Sequence, residues 1–268
     1  MQTHHTVLTN ICGCRYVHET MGMEFMRRLL ITTVLCFLVL TGCGFIYYAS
    51  PLRPVDQQGP AMDVADDHSV TYSQGRFEVK LRPVTAAELN RQFASHSQSG
   101  RSSTNPFTYG DTEFWEGEEG EERFAVFHMS VKNYAYPKVR IDPARTQIRA
   151  DNGREYWSLN IEQLQNYFRV YIVGFRGNEY ARHQERIDLL RRTLFRSEDI
   201  FSGQEAEGYL VFPTLHHDVA NIEVLVHDAV LRFDFRGQPA ETVDIAYRFE
   251  RDVGRVYPDG TQELTSRN

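Results

Sequence analysis

Apolar and polar residues alternate with a period of two along much of the chain after residue 76. Strict alternation over about four to eight residues is typical of a β-strand that buries one face. Asp151, Asn152 and Gly153 separate two of the candidate strands and favour a hairpin turn. Together with short apolar runs, the pattern indicates seven or eight strands, at residues 77–82, 125–132, 146–150, 155–159, 209–212, 222–226, 231–236 and 243–250.

Each of these strands has one apolar face, and that face has to be covered by another layer. A second antiparallel sheet is the simplest cover, so the sequence predicts a two-sheet β-sandwich over residues 77–252. A short strand over residues 70–72 is expected to join it. A domain of this length buries enough surface to be stable without disulfides. The expected fold class is therefore mainly β.

Residues 160–196 interrupt the strand pattern. Apolar side chains recur there at helical spacing, which predicts a helix between about residues 178 and 195. The apolar residues 167–175 fit either a strand or the first half of a longer helical segment. An insertion of this size either covers an open sheet edge or forms a partner surface. The predicted buried stripe is Tyr180, Ile187, Leu190 and Leu194, and the predicted outward face holds Arg182, Glu185, Arg186, Arg191 and Arg192.

The segments on either side of the sandwich show no sustained periodicity. Residues 43–76 contain Pro51, Pro54 and Pro60, and they are predicted to form a flexible tether. Residues 253–268 are predicted to be a loosely ordered tail.

The N-terminal region has the pattern of an export signal. Arg27 and Arg28 precede twelve uncharged, mostly apolar residues at 29–40, and small residues follow, as in a secretory signal peptide over residues 23–42. The Leu-Thr-Gly-Cys sequence at residues 40–43 resembles the lipobox of bacterial lipoproteins. In that family the cysteine is acylated and becomes the mature N-terminus. The resemblance implies that Cys43 is lipidated and anchors the protein to a membrane.

A second interpretation of the same region is an uncleaved anchor helix. Residues 29–49 are without charge and long enough to span a bilayer. Both interpretations place residues after 50 outside the cytoplasm. Residues 1–22 fit neither, so they are interpreted as an upstream start or a disordered extension, with a genuine cytoplasmic extension as the alternative.

Composition and charge exclude several classes. The 268 residues have a formal charge of −7, from 29 basic and 36 acidic side chains, which argues against nucleic-acid binding. The hydrophobic content of 41% argues against wholesale disorder. The four cysteines, Cys12, Cys14, Cys36 and Cys43, all lie in the first 43 residues, so an exported domain has no cysteine for an internal disulfide.

Motifs that carry chemistry are sparse, and no cofactor is predicted. The chain has no nucleophile elbow, zincin motif, phosphate loop or dinucleotide fingerprint. His216, His217 and Asp218 are the best candidate metal ligands, but a polar turn between two strands is the favoured interpretation, and no metal is predicted. The arginines of the predicted helix, Arg182, Arg186 and Arg192, are candidates for binding an anionic lipid or glycan, and the favoured alternative is a solvated face with local Glu–Arg pairs. Trp115, inside a glutamate-rich segment, is either a core anchor or an exposed contact.

Three segments resemble the Ig-like domains of exported bacterial lipoproteins. They are the strand ending in Asn at 124–133, the strand with its Asp-Asn-Gly turn at 148–155, and the Gly-Gln turn leading into a Gly-aromatic strand at 202–212. The resemblance implies an Ig-like sandwich and gives no catalytic residues.

The expected function is therefore that of a lipid-anchored, exported cell-envelope protein with a non-enzymatic binding or structural domain. Its expected partners are the membrane, through Cys43, and an envelope protein or an anionic glycan or lipid. One alternative is an accessory subunit of a membrane complex that docks through the helical insertion. Another is a metal-dependent envelope hydrolase that uses the region of His216 and His217.

Overall fold

The computed structural model describes residues 45–98, 100–112, 122–174 and 179–265. Cys43 and Trp115 therefore lie outside the described residues. Among the described residues, none of the helices has both the length and the apolar character needed to cross a membrane.

The described strands, in chain order, are β1 (Ile46–Ala49), β2 (Arg53–Pro54), β3 (Met62–Val64), β4 (Val70–Gln74), β5 (Phe77–Val84), β6 (Phe124–Asn133), β7 (Lys138–Arg140), β8 (Thr146–Ala150), β9 (Glu155–Trp157), β10 (Asp199–Phe201), β11 (Gln204–Pro213), β12 (Asn221–Phe233), β13 (Pro239–Glu250), β14 (Val253–Val256) and β15 (Gln262–Leu264). The helices are α1 (Ala86–Gln92), α2 (Ala94–Ser97), α3 (Ile161–Gly174) and α4 (Glu179–Thr193).

The strands form antiparallel sheets. A five-stranded sheet has the order β11-β6-β5-β4-β3. A seven-stranded sheet has the order β10-β7-β12-β13-β2, and β8 pairs with β12 and carries β9 on its other side. A separate three-stranded sheet has the order β1-β14-β15. The predicted mainly β, antiparallel fold class is confirmed.

The two larger sheets share one hydrophobic core, as in a sandwich. Phe127 of the five-stranded sheet and Phe249 of the seven-stranded sheet have ring centroids 5.4 Å apart. The buried Tyr247 hydroxyl crosses the core and donates a 2.8 Å hydrogen bond to the Val79 carbonyl. This bond satisfies a phenol that would otherwise be costly to bury. The core lies between the inward faces of β5 and β6 and those of β12 and β13.

One end of the five-stranded sheet is also covered on its outer face. A second hydrophobic cluster joins Val126 and Val211 of that sheet to Leu164 of α3 and to Ile187 and Leu190 of α4. Burial on both faces explains why β6 and β11 contain continuous apolar runs, at residues 124–127 and 209–212, rather than strict alternation.

The helical insertion is a pair of helices. Of the two interpretations of the apolar residues 167–175, a strand or part of a longer helical segment, the helical one is correct for residues 167–174. Helix α3 begins with a reciprocal cap, in which the Asn160 and Gln163 side chains each accept a 2.9 Å hydrogen bond from the other residue's backbone N–H. Helix α4 runs over Glu179–Thr193, within the predicted range.

Three predictions about the segments around and within the sandwich need correction. Residues 46–74 contain β1 to β4, so four short strands pair the predicted flexible tether into the sheets, and only β4 matches the short strand expected over residues 70–72. The predicted loose tail contains β14 and β15. The candidate strands at 222–226 and 231–236 are one strand, β12, which is irregular after Val226, where Asp228 has a φ of 50°. The short strands β7 and β10 had no clear alternation to reveal them.

Candidate functional site

Both ends of the helical insertion are hydrogen-bonded to the outer edge of β11. The Leu159 N–H, just before α3, donates to the Val211 carbonyl at 2.7 Å. The Phe195 N–H, just after α4, donates to the Tyr209 carbonyl at 3.0 Å. An open strand edge invites pairing with other chains, and covering it with another segment is a common protection. The insertion was expected either to cover an open sheet edge or to form a partner surface. At these two positions it covers the edge of β11.

Gly208 allows the second of these segments to approach the strand. A Cβ atom at this position would lie 2.5 Å from the Phe195 nitrogen and 2.6 Å from its Cα. Real Cβ atoms do not come this close to backbone, and the backbone of residue 195 is held by its hydrogen bond to Tyr209.

Replacing Gly208 by alanine is expected to lower the free energy of unfolding by about 1–3 kcal/mol, because the added methyl group overpacks this contact. Urea denaturation measures the loss. The neighbouring exposed Glu207→Ala is the control and should change stability by less than about 0.5 kcal/mol. Equal stability of the two variants would show that the insertion does not lie closely on β11.

A cavity of about 440 Å³ lies between the two hydrogen-bonded segments. We call it the edge cleft. This volume is within the range of small-molecule sites, about 300–1,000 Å³, which are mostly apolar with a few polar groups. Its apolar lining residues are Pro143, Ala144, Leu159, Ile161, Leu194, Phe195, Tyr209 and Leu210, and its polar lining residues are Asp142, Ser158, Asn160, Arg191, Arg196 and Ser197.

Two arginines give the lining of the edge cleft an excess of positive charge. The nearest carboxylate to Arg191 is that of Asp188 at 3.5 Å, and the nearest to Arg196 is that of Glu198 at 3.6 Å. More than half of each of these four side chains is exposed, so both ion pairs are weak. Asp142 is the acidic residue in the lining, and one of its oxygens accepts the Ala144 N–H at 3.1 Å. The Arg196 guanidinium also donates to the Arg191 carbonyl. A bound anion can replace the exposed carboxylate partner of either arginine.

The three arginines predicted to bind an anionic partner do not form one free cationic group. Arg182 and Arg186 both pair with Glu179, Arg186 at 4.0 Å. Arg192 is exposed, and its Nε donates to the Asp188 carbonyl at 3.2 Å. Arg186 is buried, so the prediction that it faces outward is wrong. None of the three lines the edge cleft.

A polar loop covers Arg186. Its guanidinium donates a 2.7 Å hydrogen bond to the Ser103 carbonyl and lies 5.6 Å from the centre of the Phe168 ring. The loop itself is held by the buried Asn105, whose side chain donates to the Ser97 hydroxyl at 2.9 Å. Phe107 packs into the second hydrophobic cluster. The role of Arg186 is thus to fix this loop onto α4.

The predicted metal ligands lie in a compact loop, but their side chains bond to each other and to neighbouring residues instead of converging on one point. His216 Nδ1 lies 2.6 Å from Asp218 Oδ1, and this carboxylate also accepts from the Asn152 amide at 3.1 Å. The His217 ring stacks on Tyr47 with centroids 3.4 Å apart, and burial and the neighbouring His216 lower its pKa. Within the described ranges, no three His, Cys, Asp or Glu side chains are grouped closely enough to hold a metal ion. The alternative of a polar, hydrogen-bonded turn fits this geometry.

The edge cleft was not visible in the sequence. Its lining comes from four separate segments, at residues 142–144, 158–161, 191–197 and 209–210, which only the fold brings together. Comparison of the chain with protein-family models, with curated proteins and with solved structures gives no match. The features of the molecule that bear on its function are therefore the edge cleft and the sequence pattern of residues 23–43.

Proposed function

We propose that the protein is a lipid-anchored, exported binding protein of the bacterial cell envelope, without enzymatic activity, and that its sandwich is Ig-like. The edge cleft is the observation that carries the binding role. We propose that it holds a small ligand with an apolar tail and one anionic group.

The chemistry of the edge cleft supports this class of ligand. The apolar residues of its lining favour an aliphatic or aromatic group, since removing such a group from water is favourable. Arg191 and Arg196 supply planar guanidinium groups, which bind carboxylate or phosphate with two parallel hydrogen bonds. A medium-chain carboxylate combines these two features in one molecule.

The start of β1 supports the lipid anchor over the uncleaved helix. A spanning helix over residues 29–49 would need the last four of these residues, and they form β1 instead. Residues 29–45 remain, at the short limit of about 17 residues for a membrane-spanning helix. A lipobox needs only the residues up to Cys43.

Decanoate binding tests the role of the edge cleft. The full-chain protein is reconstituted in lipid nanodiscs, and binding is measured by equilibrium dialysis with empty nanodiscs subtracted. We expect saturable binding that Leu194→Trp abolishes, because the larger side chain fills the cavity. Arg191→Gln combined with Arg196→Gln should weaken decanoate about threefold to tenfold and leave decanol unchanged, as for loss of an exposed charge contact of about 1 kcal/mol.

Arg192→Gln is the matched control, since Arg192 lies on the same helix turn but outside the lining. It should leave the affinity for decanoate unchanged. Absence of saturable binding, or unchanged binding by Leu194→Trp, would contradict the binding role of the edge cleft.

One observation favours a second function, that of an accessory subunit which docks through the helical insertion. Val170 of α3 and Tyr180 of α4 have 72% and 66% of their surface exposed. Large apolar side chains at this exposure are typical of protein contact surfaces when they are contiguous. A photo-crosslinking residue placed at position 170 in intact cells tests this second function. A subunit of a complex should crosslink to a single protein partner in a fixed ratio, whereas a protein that only binds a small ligand should not.

A further inference from the structure

The three-stranded sheet β1-β14-β15 has two chemically different faces. In its antiparallel register Ile46 pairs with Val256, and Val256 pairs with Gln262. Tyr48 pairs with Gly254, which pairs with Leu264. Paired residues share a face, and so do residues two apart along a strand. These six residues therefore form one face, and none of them is charged. We call it the uncharged face.

The opposite face carries the charges, and its Tyr47 ring contacts the rest of the domain. Tyr47, Arg255 and Glu263 are paired across the three strands on that side. The Tyr47 ring stacks on His217, which turns this side toward the loop at residues 216–218. The uncharged face is consequently turned away from that loop.

The uncharged face is accessible. Ile46 has 41% and Leu264 has 53% of its surface exposed. Tyr48 and Val256 are partly exposed, and none of these four side chains belongs to either hydrophobic cluster of the domain. An exposed face with aliphatic and tyrosine side chains and no charge is typical of an interaction surface.

The chain length before β1 indicates what this face meets. Ile46 follows Cys43 by three residues, and an extended chain spans at most about 3.3–3.6 Å per residue. An acyl group on Cys43 would therefore leave only about 10 Å of chain before β1. The sequence alone predicted a tether of 33 residues, with which the domain would stand clear of the membrane.

We propose that the uncharged face, with Ile46, Tyr48, Val256 and Leu264, rests in the interface of the membrane that holds the acyl chain. This inference rests on the lipid anchor of the proposed function. Tyrosine and aliphatic side chains are favourable at that depth, and no charge has to be desolvated. The sheet face would add a second, weaker membrane contact beside that of the lipid on Cys43.

Spin labels on two adjacent residues test the orientation. Leu264→Cys places a label on the uncharged face, and Glu263→Cys places the matched control on the opposite face. Signal cleavage removes Cys12, Cys14 and Cys36, and acylation blocks Cys43, so the introduced cysteine is the single reactive thiol. The processed full-chain protein is bound to vesicles of phosphatidylethanolamine and phosphatidylglycerol. Label accessibility to oxygen, which concentrates in lipid, is compared with accessibility to a water-soluble nickel complex.

We expect the label at 264 to have a severalfold higher ratio of oxygen to nickel accessibility than the label at 263. Ile46→Cys is a second label on the uncharged face and should behave like 264, which covers the case in which Leu264→Cys does not fold. Equal ratios at all three positions in acylated, vesicle-bound protein would overturn the orientation and leave the lipid anchor intact. The orientation would also be overturned if the label at 264 stayed inaccessible to the nickel complex without vesicles and showed spin–spin coupling to a second copy, because the face would then be covered by that copy.

Mass spectrometry of the N-terminal peptide separates the two proposals. Protein without an acyl group that fails to bind vesicles would overturn the orientation together with the anchor. Acylated protein in which decanoate does not bind, but 264 is shielded, would overturn the binding role of the edge cleft and support the orientation.

Discussion

Serine in place of Cys43 is expected to remove the acyl group and to release the protein from its membrane. A serine hydroxyl cannot replace the thiol that a lipobox modifies, and the other membrane contact that we propose, a small sheet face, is weak without the acyl chain. Mass spectrometry of the peptide that contains residue 43 measures the acyl group. Fractionation of cells after a carbonate wash measures the release.

Cys36→Ser is the matched control, because it makes the same change seven residues earlier in the apolar run. It should leave both the mass of the mature N-terminus and the membrane fraction unchanged. A Cys43→Ser protein with the mass and distribution of the wild type would contradict the lipobox interpretation and favour an anchor helix.

The strands that the sequence predicted well are those whose alternation reflects one buried face. β5 and β13 alternate because one face meets the sandwich core and the other meets solvent. Turn chemistry was also informative: the Asp-Asn-Gly turn lies between β8 and β9, and Gly153 there has a φ of 82°. The alternation of apolar and polar residues predicts a strand well when one face of the strand is buried along its whole length and the other is in contact with solvent.

The paired segments around the sandwich could not be predicted in this way. β1 pairs with β14 about 200 residues further along the chain, and β2 pairs with the end of β13. β1 and β2 are four and two residues long, Pro51 follows β1 and Pro54 ends β2, so their own sequences show no period. Their structure comes from the partner strand rather than from local preference.

The buried face of α4 was predicted only in part from the spacing of its apolar residues. The stripe of Tyr180, Ile187, Leu190 and Leu194 was inferred from spacing, and Ile187 and Leu190 are buried as predicted. Tyr180 is 66% exposed because it lies in the first turn of α4. Arg186 is buried although it is charged. It lies four residues before Leu190 and therefore on nearly the same side of the helix, a relation that was visible in the sequence.

Two substitutions on α4 are expected to have the largest effects on stability. Leu190 is fully buried between the helices and the sheet, so Leu190→Ala should lower the free energy of unfolding by about 2–5 kcal/mol. Arg186→Glu should cost about 3–5 kcal/mol, because it buries a carboxylate next to the Ser103 carbonyl that now accepts a hydrogen bond. Urea denaturation followed by circular dichroism measures both.

Matched controls on the same helix separate burial from a change of residue type. Arg192→Glu reverses the same charge at an exposed position, and Tyr180→Ala removes an apolar side chain that is mostly exposed. Each should change the free energy of unfolding by less than about 0.5 kcal/mol. If Arg186→Glu were as mild as Arg192→Glu, the loop at residues 103–107 would not cover α4. If Tyr180→Ala were as costly as Leu190→Ala, the first turn of α4 would be packed, and Tyr180 would no longer be available as part of a docking surface.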